Sequence, residues 1–456
     1  MFKLFSAPTV CNVEITEACN QRCRHCYNYW RQQDASSRRM SKETMDRLVE
    51  LLVEAGLFHV VLSGGEPFLN FEVLEYGFRK LREHNISFSC NSNLMLTTED
   101  RIKRLVDTGL DHILTSFNSY KPEVNDYMVQ HQGAYHKIIK GIETAVRHGI
   151  RVSVNMIISK PNIEQVYETA KMAHNLGCQK IFATRTVPPV SIDDPTQTDF
   201  LLERTNALFA LEQLVRAKED TGIMIGTLVS YPLCLLEDLE KFRDFVGRGC
   251  PAQSGHSINI SVNGETHACV HQQEGYGNIF EIGIPEAYKK MRPWHTGEYR
   301  NPECEGCEYY YICKSGCRSS AHAYYGKYQG PDQLMTHKDN ISKPFKLVSH
   351  DWIFAAIEKG ARFTAPKRLR FREETGFYLV NIRWANSITC PTEEAMKLKK
   401  FRDSGEEFSL EDFGVENKVL LAQLYAKDAV ESKDIQVEDL RKMAGLSANI
   451  TGGEKR

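Results

Sequence analysis

The sequence has no excess of charge of either sign. Its 456 residues include 57 lysines and arginines and 59 aspartates and glutamates, which gives a formal net charge of -2. Acidic and basic residues are also mixed along the whole chain. We therefore expect neither a nucleic-acid partner nor a polybasic membrane anchor, because both need clustered positive charge.

Long apolar runs are missing as well. No uninterrupted apolar stretch approaches the roughly 18 residues that cross a bilayer, and Met1 to Pro8 contain too few apolar side chains for a signal peptide. These absences predict a cytoplasmic protein without a membrane partner. At about 100 to 200 residues per domain, the length predicts about two to four domains.

Cysteine, in contrast, is abundant. Fourteen cysteines in a chain without an export signal favour metal ligation over disulfides, because a reducing cytosol keeps thiols free. Cys19, Cys23 and Cys26 form a C-x3-C-x2-C loop. Three thiolates on one short loop can converge on one face of an iron–sulfur cluster and leave a fourth iron without a protein ligand. A zinc site and unrelated core cysteines are the alternatives.

A glycine-rich turn follows the next predicted strand. The apolar stretch His59 to Ser63, at this strand, runs into the sequence Gly-Gly-Glu-Pro at positions 64–67. The two glycines let the backbone approach a ligand closely, and Glu66 offers a carboxylate to an amine. Together with the cysteine loop, this turn resembles the signature of the radical S-adenosylmethionine (radical SAM) superfamily.

The resemblance implies both the cofactors and the reaction. It implies that the three loop cysteines hold a [4Fe-4S] cluster, that S-adenosylmethionine chelates the fourth iron, and that Gly64, Gly65 and Glu66 hold its amino group. Reduction by an electron donor such as flavodoxin or ferredoxin would cleave S-adenosylmethionine to methionine and a 5'-deoxyadenosyl radical. That radical would abstract hydrogen from a carbon that is inert to acid–base chemistry. No side chain stands out as a catalytic acid or base.

Strands and amphipathic helices alternate in the first half of the chain. Such alternation predicts an α/β fold with parallel strands, outer helices and ligands at the carboxyl ends of the strands. The resemblance implies a partial (β/α)6 TIM-type barrel over residues 1–233. The predicted strands are Val10 to Ile15, Phe58 to Leu62, Ser87 to Asn91, His112 to Ser116, Arg151 to Ile158 and Lys180 to Thr184.

Polar residues occur where these strands end. The resemblance implies cofactor contacts for Ser116, Asn118, Asn155 and Arg185. Ordinary strand-end capping and turn formation are the alternative explanation.

A second group of cysteines follows the predicted barrel. Cys304, Cys307, Cys313 and Cys317 are separated by two, five and three residues, which indicates a metal site, with a zinc ribbon as one alternative. Earlier in this segment, Asn263-Gly264 is a strong hairpin signal that would bring Cys250 and Cys269 near one cluster. The ordered set resembles the SPASM domain, which carries auxiliary iron–sulfur clusters, over residues 234–345.

This second resemblance implies one or two auxiliary clusters. The first cluster would be held by Cys250, Cys269 and Cys317, with Cys234 as a candidate fourth ligand. The second cluster would be held by Cys304, Cys307 and Cys313. The last SPASM cysteine is missing, so the second cluster would use Asp332, use Cys390, keep an open iron or be absent. We favour Asp332 or an open iron, because Cys390 belongs to a later predicted module.

The C-terminal part predicts a small α+β module. After a linker helix over residues 346–360, residues 361–435 show three short strand patterns and three helix patterns, and residues 436–456 form a tail. The order is similar to winged-helix, PqqD-like domains, which bind leader peptides at the edge of a small sheet. A purely structural cap is the alternative. A DNA-binding winged helix is disfavoured because the last helix is not strongly basic.

Together the motifs predict a radical SAM and SPASM enzyme that modifies a ribosomally made peptide by crosslinking, thioether formation or epimerisation. One alternative is a maturase of a folded partner enzyme, such as one that forms formylglycine in sulfatases. An iron–sulfur electron-transfer protein is a more distant alternative, since it would not need the glycine-rich turn.

Overall fold

The computed structural model describes residues 4–28, 38–188, 199–247, 249–344, 351–381 and 387–435. The chain divides into two compact units, Met1–Phe345 and Lys346–Arg456. Each unit has its own apolar core. Within the described ranges, no helix is long and apolar enough to cross a membrane.

A nine-stranded sheet organises the first unit. Its order is β7-β6-β5-β4-β3-β2-β1-β8-β9, and every neighbouring pair is parallel except β8 with β9. The open, mainly parallel order confirms the predicted α/β class and is consistent with a partial TIM-type barrel. The strands are β1 (Val10–Glu14), β2 (His59–Ser63), β3 (Ser87–Asn91), β4 (His112–Ser116), β5 (Arg151–Ile158), β6 (Lys180–Arg185), β7 (Met224–Gly226), β8 (Ser257–Ile260) and β9 (Thr266–His267).

Helices connect the parallel strands and also follow β9 in the chain. Ser41 caps the first helix by accepting a hydrogen bond from the backbone N–H of Thr44 at 3.2 Å, and the helix buries Met45, Leu48 and Leu52 on one face. The helices are α1 (Lys42–Glu54), α2 (Phe71–Glu83), α3 (Glu99–Thr108), α4 (Pro122–Val129), α5 (Ala134–Arg147), α6 (Val166–Asn175), α7 (Arg204–Thr221), α8 (Ile279–Lys290), α9 (Arg292–Thr296), α10 (Tyr310–Cys313) and α11 (Arg318–Tyr325).

The cysteine-rich segment contributes two strands to the same sheet. Strand β8 lies beside β1, and the amide of Asn12 donates to the side-chain oxygen of Asn259 at 3.0 Å. Strands β8 and β9 pair antiparallel, which confirms the hairpin predicted at Asn263-Gly264. The barrel strands and the cysteine-rich segment therefore share one sheet and one core.

The second unit is a small three-stranded antiparallel sheet with helices. The sheet order is β10-β11-β12, and Ile353 and Ile357 of its first helix are buried in the core of this unit. Residues 382–386 and the predicted tail at residues 436–456 lie outside the described residues. The elements are α12 (Asp351–Glu358), β10 (Arg370–Glu374), β11 (Phe377–Asn381), β12 (Ser387–Cys390), α13 (Thr392–Ser404), α14 (Leu410–Phe413) and α15 (Lys418–Ala426).

Candidate active site

The first cysteine loop follows β1 and is fastened to its surroundings by backbone hydrogen bonds. The N–H of Arg22 donates to the carbonyl of Val129 at 3.2 Å, and the N–H of Arg24 donates to that of Met128 at 2.9 Å. The loop is therefore anchored to the last turn of α4. Its three cysteines, Cys19, Cys23 and Cys26, are half-buried, and no disulfide joins any of the described cysteines.

The glycine-rich turn after β2 lies directly against this loop. The N–H of Gly65 donates to the carbonyl of Thr16 at 2.6 Å, and the N–H of Glu66 donates to that of Ala18 at 2.8 Å. A Cβ atom would lie 2.3 Å from the Thr16 oxygen if added at Gly64, and 2.1 Å from the Ala18 oxygen if added at Gly65. The two glycines are thus required by the close approach of two backbone segments, a reason the sequence pattern did not reveal.

The carboxylate of Glu66 is buried and used by donors of the chain itself. It accepts hydrogen bonds from the hydroxyl of Ser92 at 2.7 Å, the N–H of Asn93 at 2.8 Å and the N–H of Phe68 at 3.0 Å. Burial raises its pKa to about 7, while these three donors act in the opposite direction. Its side chain therefore ties the end of β2 to the end of β3. A contact of positions 64–66 with a cofactor amine stays a prediction.

The polar residues predicted at the ends of β4 and β5 come together. Ser116 lies opposite Asn155 in the parallel register, and the Asn155 side-chain oxygen accepts from the hydroxyl of Thr184 at 2.5 Å. The side-chain oxygen of Asn118 accepts from the N–H of Ile157 at 3.0 Å. The buried Nδ2 of Asn118 has no acceptor among the described residues, so this edge holds an unsatisfied donor that a ligand oxygen would fit.

Arg185, at the end of β6, forms a fully buried ion pair with Asp332. Its Nη1 donates to Oδ1 of Asp332 at 2.8 Å, and its Nη2 donates to Oδ2 of Asp332 and to the carbonyl of Ser230. Burial opposes ionisation of the carboxyl, but Arg185 and two backbone donors hold the pKa of Asp332 below its ordinary value. The Nε atom of Arg185 is buried without an acceptor among the described residues.

Asp332 is therefore not available to iron, which corrects the preference for Asp332 as a cluster ligand. Besides the guanidinium, the N–H of Cys317 donates to Oδ2 at 2.7 Å and the N–H of Leu334 donates to Oδ1 at 3.0 Å. Each carboxylate oxygen of Asp332 thus already accepts two hydrogen bonds. The pairing with Asp332 also engages two nitrogens of Arg185, and a contact of Arg185 with the cofactor stays a prediction.

Three of the later cysteines lie near one another. The thiol of Cys269 lies within electrostatic range of those of Cys250 and Cys317, the three cysteines predicted for the first auxiliary cluster. The hydroxyl of Ser319 donates to the sulfur of Cys269 at 3.3 Å. Burial raises the pKa of Cys317 to about 11.

His271 was missed in the sequence, although the spacing Cys-x-His was visible. Its Nδ1 lies 3.8 Å from the sulfur of Cys269, and its ring lies 5.5 Å from the ring of Tyr27, which follows the first cysteine loop. His271 is therefore placed between the first cysteine loop and the set formed by Cys250, Cys269 and Cys317.

Cys234 lies with the other set rather than with the first. It lines one cavity together with Cys304, Cys307 and Cys313. This placement corrects the expectation that Cys234 is the candidate fourth ligand beside Cys250.

No three Cys, His, Asp or Glu side chains in the described ranges converge as ligands of a single metal ion. A cluster holds its thiolates on separate corners, farther apart than the ligands of one zinc ion. The donors of both thiol sets are cysteines, which fits iron–sulfur clusters.

The remaining cysteines are core residues. Cys11, Cys90 and Cys178 are buried in the core of the first unit, and Cys390 is buried in the core of the second. Burial raises the pKa of Cys178 and of Cys390 to about 12, as expected for thiols without a stabilising cation.

Comparison with known protein families identifies the domain that contains the first cysteine loop. Residues 13–173 match the radical SAM superfamily. This segment is a radical SAM domain. Such a domain implies a [4Fe-4S] cluster and S-adenosylmethionine, and the three half-buried thiols after β1 and the unsatisfied Asn118 amide fit these groups.

The chain is similar to proteins whose names give different substrates. The AdoMet-dependent heme synthase of Methanosarcina barkeri is 25% identical over 353 residues, which span 72% of this chain and 96% of the relative. The PqqA peptide cyclase of Bradyrhizobium diazoefficiens is 23% identical over 342 residues, which span 71% of this chain and 84% of the relative.

The fold is also shared with a solved structure. Streptococcus suis SuiB bound to precursor peptide SuiA has a TM-score of 0.56 at 16% identity, over 72% of this chain and 76% of SuiB. At this identity the likeness concerns the fold.

Proposed function

We propose that this radical SAM enzyme modifies a ribosomally made peptide by hydrogen abstraction and that its C-terminal unit binds the leader of that peptide. The observation that carries the proposal is the separate unit with a small antiparallel sheet, combined with the similarity to a PqqA peptide cyclase. When bound, S-adenosylmethionine on a reduced cluster supplies the hydrogen-abstracting radical.

The geometry of the small sheet supports peptide binding at its edge. Strands β10 and β12 are the outer strands, and β11 is the inner one. An outer strand can accept an extended peptide as a further strand through main-chain hydrogen bonds. In β12 the side chains of Ser387, Ile388 and Thr389 are only half-buried, so they remain accessible for side-chain selectivity.

We also propose that the cysteine-rich segment carries auxiliary iron–sulfur clusters. The support is the donor set, because seven cysteines of this segment fall into two groups within one unit. Such clusters would accept the electron left on the substrate radical or ligate the substrate. Cluster potentials vary widely with ligation and solvent exposure, which suits them to either role.

The test compares the full chain with a chain that ends at residue 345, after anaerobic reconstitution with iron and sulfide. Candidate precursor peptides would be titrated against both proteins, and products would be analysed by mass spectrometry and by 5'-deoxyadenosine formation. We expect both proteins to form 5'-deoxyadenosine from S-adenosylmethionine alone. Only the full chain is expected to bind and modify the peptide.

A triple variant, Cys19→Ala, Cys23→Ala and Cys26→Ala, is the control, since it should form no 5'-deoxyadenosine. Equal peptide binding by the full and the shortened chain would contradict the role of the C-terminal unit. The heme synthase relative supports a second candidate, chemistry on a tetrapyrrole. Product formation from a tetrapyrrole, with no peptide bound by either protein, would favour that candidate.

A further inference from the structure

One cavity of the cysteine-rich segment is lined by four cysteines. Cys234, Cys304, Cys307 and Cys313 line it. A cysteine that is distant in the sequence therefore joins three clustered cysteines at one cavity.

The four thiols belong to one electrostatic neighbourhood. The thiol of Cys313 lies within range of those of Cys234 and Cys304, and the thiol of Cys304 lies within range of that of Cys307. The backbone beside Cys234 also touches this group, because the N–H of Leu233 donates to the sulfur of Cys313 at 3.4 Å. Cys234 is thus in contact with the set although 70 residues separate it from Cys304 in the sequence.

Thr336 fixes the position of Cys234. Its N–H donates to the Cys234 sulfur at 3.4 Å, and its hydroxyl donates to the Cys234 carbonyl at 2.5 Å. The preceding residue, Met335, has its sulfur 4.0 Å from that of Cys304. The segment after the ion-paired Asp332 therefore holds the cavity walls together.

Other ligand types at the cavity compete poorly with the cysteines. Glu303 and His337 also line it, but His337 is 63% exposed and pairs with Asp339 at 3.0 Å. Glu303 supplies a carboxylate, whereas iron–sulfur clusters are held mainly by thiolates. Asp332 is excluded because both of its oxygens are used by Arg185 and by backbone donors.

We infer that Cys234, Cys304, Cys307 and Cys313 together hold one auxiliary iron–sulfur cluster, with Cys234 as the ligand that the sequence order hides. The other set then has three cysteines, Cys250, Cys269 and Cys317, and its fourth position falls to a ligand other than cysteine. This inference rests on the proposal that the segment carries auxiliary clusters, and it does not depend on the substrate.

The experiment uses the full chain with Cys19, Cys23 and Cys26 replaced by alanine, so that all remaining cluster iron is auxiliary. Into it are introduced Cys234→Ala, Cys304→Ala and Cys269→Ala, singly and in pairs. After reconstitution with iron and sulfide, iron is counted and the reduced proteins are studied by electron paramagnetic resonance. The control is Cys178→Ala, a buried thiol outside both sets.

We expect Cys234→Ala and Cys304→Ala to remove the same resonance, and the double variant to lose no more iron than Cys304→Ala alone. Cys234→Ala with Cys269→Ala should remove both resonances. If Cys234→Ala instead removes the same resonance as Cys269→Ala, or removes no resonance, the inference is wrong. If the parent protein holds no iron at all, the proposal of auxiliary clusters itself fails.

A second measurement uses the unmodified protein and does not depend on folding of a variant. Clusters are removed stepwise with ferricyanide and a chelator, and exposed thiols are alkylated with iodoacetamide and identified by mass spectrometry. Cys234 should become reactive together with Cys304 and Cys307. Reactivity in step with Cys250 and Cys269 would overturn the assignment.

Discussion

The pKa of Glu66 makes the stability of this protein depend on pH. Burial raises that pKa from 4.5 to about 7, so between these values the folded state binds more protons than the unfolded state. The free energy of unfolding contributed by Glu66 is therefore fully present below pH 4.5 and is lost as the pH rises to about 7. We expect the difference between wild type and Glu66→Gln to fall across this interval, by at most about 1.4 kcal/mol per pH unit.

Urea unfolding of both proteins at several pH values would measure this difference. In the glutamine variant, an amide NH2 group replaces one carboxyl oxygen and faces hydrogen-bond donors. Glu66→Gln should therefore lower the free energy of unfolding by about 1 to 3 kcal/mol at the pH where the wild-type carboxyl stabilises the fold most. Glu54→Gln, on the exposed end of α1, is the control and should show no such trend. A constant difference between pH 4.5 and 7 would contradict the prediction.

The buried pair of Arg185 and Asp332 should couple strongly in a double-mutant cycle. Asp332→Asn leaves a guanidinium buried without its counter-charge, and such a loss costs about 3 to 5 kcal/mol. Arg185→Gln combined with Asp332→Asn should cost clearly less than the sum of the single variants. The half-exposed pair of Lys241 and Glu212 is the matched control, with an expected coupling of about 0 to 1 kcal/mol. Additive effects of the buried pair would contradict this reading.

The turn after β2 should tolerate no side chain at Gly65. A methyl group there would lie 2.1 Å from the carbonyl oxygen of Ala18, so the turn and the cysteine loop would have to separate. We expect Gly65→Ala to lose the iron of the first loop and to form 5'-deoxyadenosine at under about one tenth of the wild-type rate, which corresponds to about 1.4 kcal/mol.

The control for this substitution is Gly226→Ala in β7. Its added methyl would meet the flexible end of Lys180 at 3.0 Å and a ring carbon of Phe182 at 3.4 Å, with no backbone atom among these nearest neighbours. That variant should keep its iron and its activity. Full iron content and activity in Gly65→Ala would show that the two backbone segments can move apart without loss of the site.

Elements with local signals could be predicted from the sequence, and elements that depend on distant partners could not. Ser41 and Thr98 cap α1 and α3, and a serine or threonine before an amphipathic stretch is a local signal of a helix start. The three-residue strand β7 and the pairing of β8 with β1 leave no local pattern.

The same distinction applies to the site. The two signature motifs lie in short contiguous stretches and therefore could be read directly. The partners of Asp332 and Cys234 could not, because Arg185 lies 147 residues from Asp332 and Thr336 lies 102 residues from Cys234. An acidic side chain in a cysteine-rich segment looks the same in the sequence whether it binds iron or an arginine.

For the whole chain, the separate cores predict that the C-terminal unit can be destabilised without loss of the iron centres. Phe408 is fully buried and stacks on Phe401 with ring centroids 4.3 Å apart. Phe408→Ala should cost about 3 to 5 kcal/mol in that unit. We expect proteolysis after residue 345 to increase while iron content and 5'-deoxyadenosine formation stay unchanged.

Limited proteolysis, iron counting and the nucleoside assay on one preparation would check this expectation. Met396→Ala is the control, since Met396 is 51% exposed and its loss should change none of the three readouts. Loss of iron in Phe408→Ala would contradict the independence of the two cores.

The order of synthesis limits when the first sheet can close. Asn12 of β1 and Asn259 of β8 are 247 residues apart, and at roughly 5 to 20 residues per second the ribosome needs about 12 to 50 s to make that stretch. During this time β1, which leads into the first cysteine loop, cannot pair with β8. We expect ribosome-bound chains arrested before residue 257 to carry no iron, so that cluster loading follows translation; iron on such chains would show that the nascent strand is already competent.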